Sequence, residues 1–253
     1  MTKNFKLYSQ YYDLLYQDKD YEKEAFYIHN LIQSYAPKTK KILELGSGTG
    51  KHAKLFSNLG YSILGIEQSA EMAEIARKSA GNNTSFLIED ISVFRVKDKF
   101  DTALSLFHVI SYLTESSTLI RTFENVNNHL KQGGIFIFDV WHSPAVYHQV
   151  PQKREKKLSN KVIEVSRKAS PVINTETNIV EVIYYIEVKS KVTGEILKLT
   201  ETHPMRHFSK PEIELLAYAT GFEILHSEEF LSKTEPSKET WGVCYALKKN
   251  KDV

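Results

Sequence analysis

Three glycines at alternate positions, Gly46, Gly48 and Gly50, follow the apolar run at residues 42–45 and open a helix-forming stretch. Glycine lets a strand turn sharply into a helix and lets backbone approach a ligand without a Cβ in the way. The first turn of that helix presents unpaired N–H groups to an acidic ligand group. The spacing is G-x-G-x-G, not the G-x-G-x-x-G of dinucleotide-binding turns. Carboxylates recur at matching places: Glu44 before the first glycine, Glu67 closing the second apolar run, and Glu89-Asp90 closing the third. A carboxylate at Glu67 suits the two hydroxyls of a ribose, and one at Asp90 suits an exocyclic amino group.

A second set of residues could move protons. His108 follows the fourth apolar run and His142 the fifth, whereas His203 and His207 flank Met205-Arg206 in the segment HPMRHF. Imidazole titrates near neutrality and so suits a general base, but a hydrogen-bonded structural role stands open for each of these histidines. The order of preference is His108, His142, His207. His129 precedes the fifth run and belongs at the opposite end of the sheet, and His52 is expected on a helix surface or loop near the ligand. Arg206 could grip a phosphate or carboxylate bidentately or serve in a rim salt bridge. Trp141 and Trp241 suit a core or a pocket equally.

The elements that must position these residues are legible as alternation. Residues 41–45, 62–67, 85–89, 101–106 and 134–140 form short apolar runs, and residues 51–59, 69–79 and 115–130 between them have helical length and spacing. Near-continuous apolar strands alternating with helices predict an α/β fold with a doubly wound, mostly parallel sheet covered on both faces. Beyond Val140 the texture changes. Pro144, Pro151 and Pro171 punctuate it, a basic run covers residues 153–157, and β-branched and aromatic segments follow at 162–166, 179–189 and 196–204. These predict an inserted antiparallel sheet of three or four strands, with a turn at Thr193-Gly194. A helix over residues 209–220, opened by Ser209 and Pro211 and closed by Gly221, and two strands at 222–230 and 243–248 complete a seven-stranded sheet. The first 40 residues carry Tyr8, Tyr11, Tyr12, Tyr16, Tyr21, Tyr27 and Tyr35, read as two helical pieces covering an open edge of the core.

Bulk properties remove other classes. A net charge of +2 over 253 residues predicts no general attraction to nucleic acid or anionic membrane, and the lone Cys244 excludes an intrachain disulfide and a Cys-rich metal site. No spacing of carboxylates signals a divalent cation. The N-terminus is too polar for a secretory signal, so a cytoplasmic location is expected.

Taken together, ELGSGTG at residues 44–50, GIEQS at 65–69, IEDI at 88–91 and HLKQGGIFIFD at 129–139 resemble the motifs of the class I S-adenosyl-L-methionine (SAM)-dependent methyltransferases. The resemblance covers nearly the whole chain and implies a Rossmann-like fold. It implies SAM as cofactor and S-adenosylhomocysteine as product. It also implies that Glu44 meets the methionine amino group, that Gly46, Ser47, Gly48 and Gly50 lie against SAM, and that Glu67 and Gln68 flank the ribose. Met72 would pack on adenine, which Asp90 and Ile91 frame, with Phe107, Tyr12 and Tyr21 completing the cofactor site. The expected domains are a helical lid over residues 1–40, a SAM-binding core over 41–143 and 207–253, and a substrate or dimer subdomain over 144–206.

A narrower resemblance, carried by YDLLYQDKDYEKEA at residues 12–25, LFHVISYL at 106–113 and DVWHSP at 139–144, is to the TDP-3-amino-sugar N,N-dimethyltransferases. It implies a small-molecule acceptor, the amino group of a nucleotide-linked sugar, and a homodimer. Tyr16 and Tyr21 would lie on a lid over SAM, with Tyr16 beside the reacting groups and Tyr112, Trp141 and Arg206 near the acceptor. An O-methyltransferase acting on a sugar or small metabolite and a non-catalytic SAM-binding protein stand as alternatives. A nucleic-acid methyltransferase is disfavoured because Ser105-Leu106-Phe107-His108 stands where a base-modifying Asn/Asp-Pro-Pro-aromatic element would be.

Overall fold

The five apolar runs become the strands β1 (Lys41–Leu45), β2 (Ser62–Glu67), β3 (Thr84–Ile88), β4 (Phe100–Ser105) and β5 (Leu130–His142) in a computed structural model. The structure describes Tyr11, Leu14, Leu15 and residues 19–252. It divides into two compact units: residues 1–20 with 150–205, and residues 21–149 with 206–253.

In the larger unit the helices are α1 (Tyr21–Tyr35), α2 (Lys51–Asn58), α3 (Ala70–Lys78), α4 (Ser116–His129), α5 (Ser143–Gln149) and α6 (Lys210–Ala219). The strands β10 (Phe222–Glu229) and β11 (Gly242–Lys249) close it. β1 pairs in parallel with β2 and β4, β2 with β3, and β4 with β5. β11 lies antiparallel between β5 and β10, giving the expected seven strands in the order β3-β2-β1-β4-β5-β11-β10. The end of β9 (Ile196–Phe208) adds two residues in parallel beside β5, with Trp141 opposite His207 and His142 opposite Phe208.

Period-two alternation sends successive side chains of each strand to opposite faces. Phe136 and Phe138 therefore meet Phe123 of α4 and Ile213 of α6 on one face, while Ile135 and Ile137 share the other with Ile28 of α1 and Phe56 of α2. Both faces are covered, so the polar groups of the strands can gather only at their ends. No helix among the described residues is long and apolar enough to cross a membrane.

Helix α1 packs Ala25, Tyr27, Ile28, Leu31 and Ile32 into this core and so belongs to the larger unit, where a separate N-terminal segment was expected. The second boundary also moves, from residue 144 to residue 150, because α5 buries Ala145 and Val146.

The smaller unit is built on β6 (Arg154–Ser159), β7 (Ile163–Asn174), β8 (Ile179–Ser190) and the first part of β9, in the order β6-β7-β8-β9. β7 pairs antiparallel with both β6 and β8. The basic run is thus a strand, and an edge one, where charged side chains discourage pairing with another chain. Tyr11, Leu14 and Leu15 pack with Ile163, Val165, Ile186 and Val188 of this sheet.

Candidate functional site

All three glycines of the turn after β1 have positive φ: 67° at Gly46, 54° at Gly48 and 74° at Gly50. At Gly46 the constraint is steric as well, since a Cβ there would sit 2.6 Å from Cγ2 of Val109. That close approach sets the turn after β4 directly against the glycine turn. At Gly48 a Cβ would meet nothing within 4 Å, so this part of the turn faces open space. The N–H groups of Gly46 and Ser47 donate to the carbonyl of Ile66 on β2, at 2.8 and 3.1 Å.

Glu67 spans the next gap. Its Oε2 accepts from the N–H of Gly48 and its Oε1 from the N–H of Ser69, both at 2.8 Å. A carboxylate has about four acceptor sites, so each oxygen keeps one for a further donor such as a ribose hydroxyl. Ser69 caps α3 by accepting from the N–H of Met72 at 3.3 Å, which sets Met72, half-buried, beside this end of the sheet. Gln68 is exposed. Asp90 follows β3 and accepts from the N–H of Ser92 at 2.7 Å in a tight turn that also fixes half-buried Ile91.

Glu44 is the buried member of the set. Burial pushes its carboxyl up to about 8, and the nearby Glu67 carboxylate adds to the rise. Its Oε2 has no hydrogen-bond partner, and its Oε1 is 4.0 Å from Nδ1 of His52. His52 is itself buried, with Nε2 2.8 Å from Oε2 of Glu24 on α1 and the ring of Tyr21 5.1 Å away. The surface position expected for His52 is therefore corrected: α2 turns it inward, between two carboxylates. Glu24 was invisible in the sequence because its partner lies 28 positions away on another helix.

At the end of β4, Phe107 and His108 both take left-handed backbone, with φ of 66° and 61°. Two consecutive non-glycine residues in that region store strain, which the surroundings must hold in place. Asp139 on β5 supplies the hold. Its Oδ2 accepts the backbone N–H of His108 at 3.1 Å and lies 2.7 Å from Nδ1 of the same residue. Asp139 is 1% exposed, whereas the His108 side chain is 27% exposed. Trp141 stands edge-on to His108 at 6.4 Å and to Trp241 at 5.8 Å. Phe107 and Tyr112, the latter on the 3-10 turn Val109–Tyr112, are exposed. Asp139 had a signal in the sequence, an acidic residue near the carboxyl end of a strand as at Glu44 and Glu67.

The other expected residues are engaged elsewhere. His142 is buried and its Nδ1 approaches the carbonyl of Thr240 at 3.2 Å; burial depresses its basicity. His207 is fully buried, 2.8 Å from Oγ of Ser143, and burial lowers its pKa to about 4, with a small further contribution from Arg206 opposed by Glu212. Arg206 donates to Glu212 at 2.9 Å and to Ser116 at 3.1 Å, so of its two readings the salt bridge is the one the geometry takes. His129 lies at the far end of β5, bonded to the carbonyl of Asn125. Tyr8, Tyr12 and Tyr16 lie outside the described residues.

Glycine turn, three strand-end carboxylates and a strained histidine thus converge at the carboxyl ends of β1 to β5. Residues 42–134 match the family described as a methyltransferase domain. That stretch, little more than a third of the chain, is similar to methyltransferase domains. The unpartnered Glu44 oxygen, buried Ser47 and Ser105 hydroxyls without partners, and the open space at Gly48 fit the amino-acid end of SAM, which brings both an ammonium and a carboxylate. A 138-residue stretch is 31% identical to a Streptomyces venezuelae dTDP-3-amino-3,4,6-trideoxy-alpha-D-glucopyranose N,N-dimethyltransferase, covering 54% of this chain and 58% of that one. The chain thus spans little more than half the length of that relative. Two solved structures share the fold at a TM-score of 0.81. One is a SAM-dependent methyltransferase from Clostridium acetobutylicum, 22% identical over 98% of this chain and 99% of its own. The other is a sugar N-methyltransferase from Streptoalloteichus, 19% identical over 95% of this chain and 93% of its own.

Proposed function

We propose that the protein transfers the methyl group of SAM to the amino group of a nucleotide-linked amino sugar, with His108 as general base and Asp139 as its positioning residue. The observation that carries this reading is the His108–Asp139 pair on a turn that touches the glycine turn through Val109 and Gly46. When bound, SAM supplies an electrophilic methyl group and leaves as S-adenosylhomocysteine. Everything else is positioning and proton transfer by the chain. An amino sugar arrives as an ammonium ion and must lose a proton before its nitrogen is nucleophilic. Oδ2 of Asp139 lies 2.7 Å from Nδ1 of the His108 ring, an ion pair once the ring is protonated, and Nε2 is the ring nitrogen left to take that proton. Transfer to the neutral amine would leave the positive charge on the acceptor nitrogen, so His108 is needed only for the proton lost beforehand. Glu44, Glu67 and Asp90 would hold the cofactor's ammonium, ribose and base in this scheme, and Tyr21 and Tyr112 would border the acceptor.

The relative named for dTDP-amino-sugar dimethylation supports the acceptor class. The test is incubation with SAM and either a TDP-3-amino sugar or its 3-hydroxy counterpart, with products followed by mass spectrometry. Methylation of the amine alone is expected. Transfer only to the hydroxyl would replace this reading with O-methylation, and tight SAM binding with transfer to neither would leave a non-catalytic binding protein.

A further inference from the structure

Gly242 is the first residue of β11, and its φ is not positive, unlike that of Gly46, Gly48 or Gly50. The backbone there is open to any residue. Glycine weakens a strand, since it brings no side chain to pack and has more freedom to lose, and inside one it often marks a close approach by another group. At Gly242 the approaching group is the ring of His108. A Cβ on Gly242 would sit 3.3 Å from Cε1 of that ring and 3.8 Å from Cβ of Phe230.

The imidazole reaches this place by crossing a strand. His108 stands on the turn after β4, β4 pairs with β5, and β5 pairs with β11, so a ring that ends against Gly242 lies across the end of β5. Register sets Gly242 opposite Trp141 and Cys244 opposite Asp139. Alternation puts Asp139 and Trp141 on the face of β5 that carries Ile135 and Ile137, and Gly242 on the face of β11 that carries Cys244 and Ala246. Three contacts then bound the ring. Oδ2 of Asp139 is 2.7 Å from Nδ1, Trp141 is edge-on at 6.4 Å, and Gly242 lies against Cε1. Nδ1 and Cε1 are bonded neighbours, so whatever displaces Cε1 also moves Nδ1 relative to the carboxylate. Carbon atoms in contact prefer about 3.5–4.0 Å, so a methyl group at 242 requires the ring to give way, and a branched side chain requires more.

We infer that Gly242 is a positioning residue for His108, its missing side chain being the seat that lets the imidazole reach Asp139 from the turn after β4. The effect on turnover rests on the proposed function, in which His108 is the base; the seat itself does not. Asp139 holds the backbone of the turn, and Gly242 keeps the place of the ring open.

The test compares wild type with Gly242→Ala and Gly242→Val, with calorimetric binding of S-adenosylhomocysteine as the control for an intact fold. That affinity is expected to stay unchanged. The readout independent of turnover is the imidazole Cε1–H resonance of His108 in proton–carbon NMR spectra at fixed pH, identified by its loss in His108→Gln. In both Gly242 variants it is expected to move toward its position in Asp139→Asn, and further for valine, because each change parts the ring from the carboxylate. With SAM and a TDP-3-amino sugar, kcat is expected to fall about 3- to 10-fold in Gly242→Ala and roughly 10²-fold in Gly242→Val, as displacement of a reacting group by up to an ångström does. Combined with His108→Gln, the same substitutions should cost no further activity. A resonance that stays in place or moves elsewhere, a wild-type kcat in Gly242→Val, or losses that multiply with His108→Gln each overturn the inference. Absent transfer by the wild type overturns the amine-methylation reading instead, and the NMR result still decides the seat.

Discussion

The two units place their polar groups in opposite ways. In the unit of residues 21–149 and 206–253 both faces of the sheet are covered, and Glu44, Glu67, Asp90 and His108 sit at or just beyond strand ends on turns braced by backbone hydrogen bonds. In the antiparallel unit Arg167, Tyr184 and His203 stand in mid-strand, braced by ring stacking across three neighbouring strands. A parallel sheet buried on both sides has no face to offer a ligand, so its chemistry collects where the strands stop. An antiparallel sheet can present a face, and here that face carries polar side chains in mid-strand.

The largest effect that would sharpen this contrast is on turnover. His108→Gln is expected to lower kcat by about 10²- to 10⁴-fold, the range of general acid–base catalysis, while leaving the affinity for S-adenosylhomocysteine unchanged. Asp139→Asn should shift the pH–rate profile and lower kcat less. A wild-type kcat in His108→Gln would mean that the strand-end histidine only positions the turn.

Glycine supplies the next comparison. Gly46 and Gly194 have similar φ, 67° and 74°, but a Cβ would strike Val109 at Gly46 and meet nothing within 4 Å at Gly194. Alanine at Gly194 should cost about 1–2 kcal/mol for the left-handed conformation alone. Alanine at Gly46 adds overpacking and should cost about 2–5 kcal/mol, with loss of cofactor affinity. Urea unfolding of both variants measures the difference, and equal costs would show that the Val109 contact relaxes freely.

Glu44 adds a pH signature. Its carboxyl titrates near 4.5 ordinarily and near 8 when folded. Between those values the unfolded chain has lost a proton that the folded chain keeps, so this group makes stability fall as pH rises from about 4.5 to about 8. Glu44→Gln should remove that part of the slope in urea midpoints. If the cofactor's ammonium ionises Glu44, binding near neutrality should release up to one proton, seen as a dependence of the binding enthalpy on buffer, and the variant should release less.

The smallest expected effects compare two ion pairs. Glu24 and His52 meet at 2.8 Å with side chains 10% exposed, whereas Lys198 and Glu187 meet at 3.0 Å on the outer face of the antiparallel sheet. Glu24→Ala should cost about 1–3 kcal/mol by leaving a buried imidazole without its partner. Lys198→Ala should cost about 0–1 kcal/mol, as exposed pairs usually do. A reversal of that order in thermal or urea unfolding would undo the contrast between braced and solvated polar groups.

Much of the doubly wound unit was legible because its signals are local. Apolar runs of five to seven residues, helical spacing between them, and the Ser209–Pro211–Gly221 punctuation each lie within one element, and the strands and helices fall within a few residues of expectation. The basic strand β6 was not legible, since Arg154, Glu155, Lys156 and Lys157 carry no alternation and become a strand only by pairing with β7. Helix α5 escaped because it is seven residues long and opens at Ser143-Pro144, which reads as a turn. Histidines divided along the same line. Chain order puts His108 and His142 both at the carboxyl end of the sheet, but Asp139 turns one ring into the proposed base while the Thr240 carbonyl holds the other in the interior.

Chain order therefore specifies the sheet, the glycine turn and the strand-end carboxylates, because period, turn chemistry and right-handed crossover are properties of short segments. Which carboxylate is buried and protonated, which histidine is left with a reactive edge, and that Arg167 lies on Tyr184 are matters of contact between residues 17 to 31 positions apart. Those contacts exist only once the sheet has closed, since desolvation and partner geometry are set by what packs around a group and not by its neighbours in the chain.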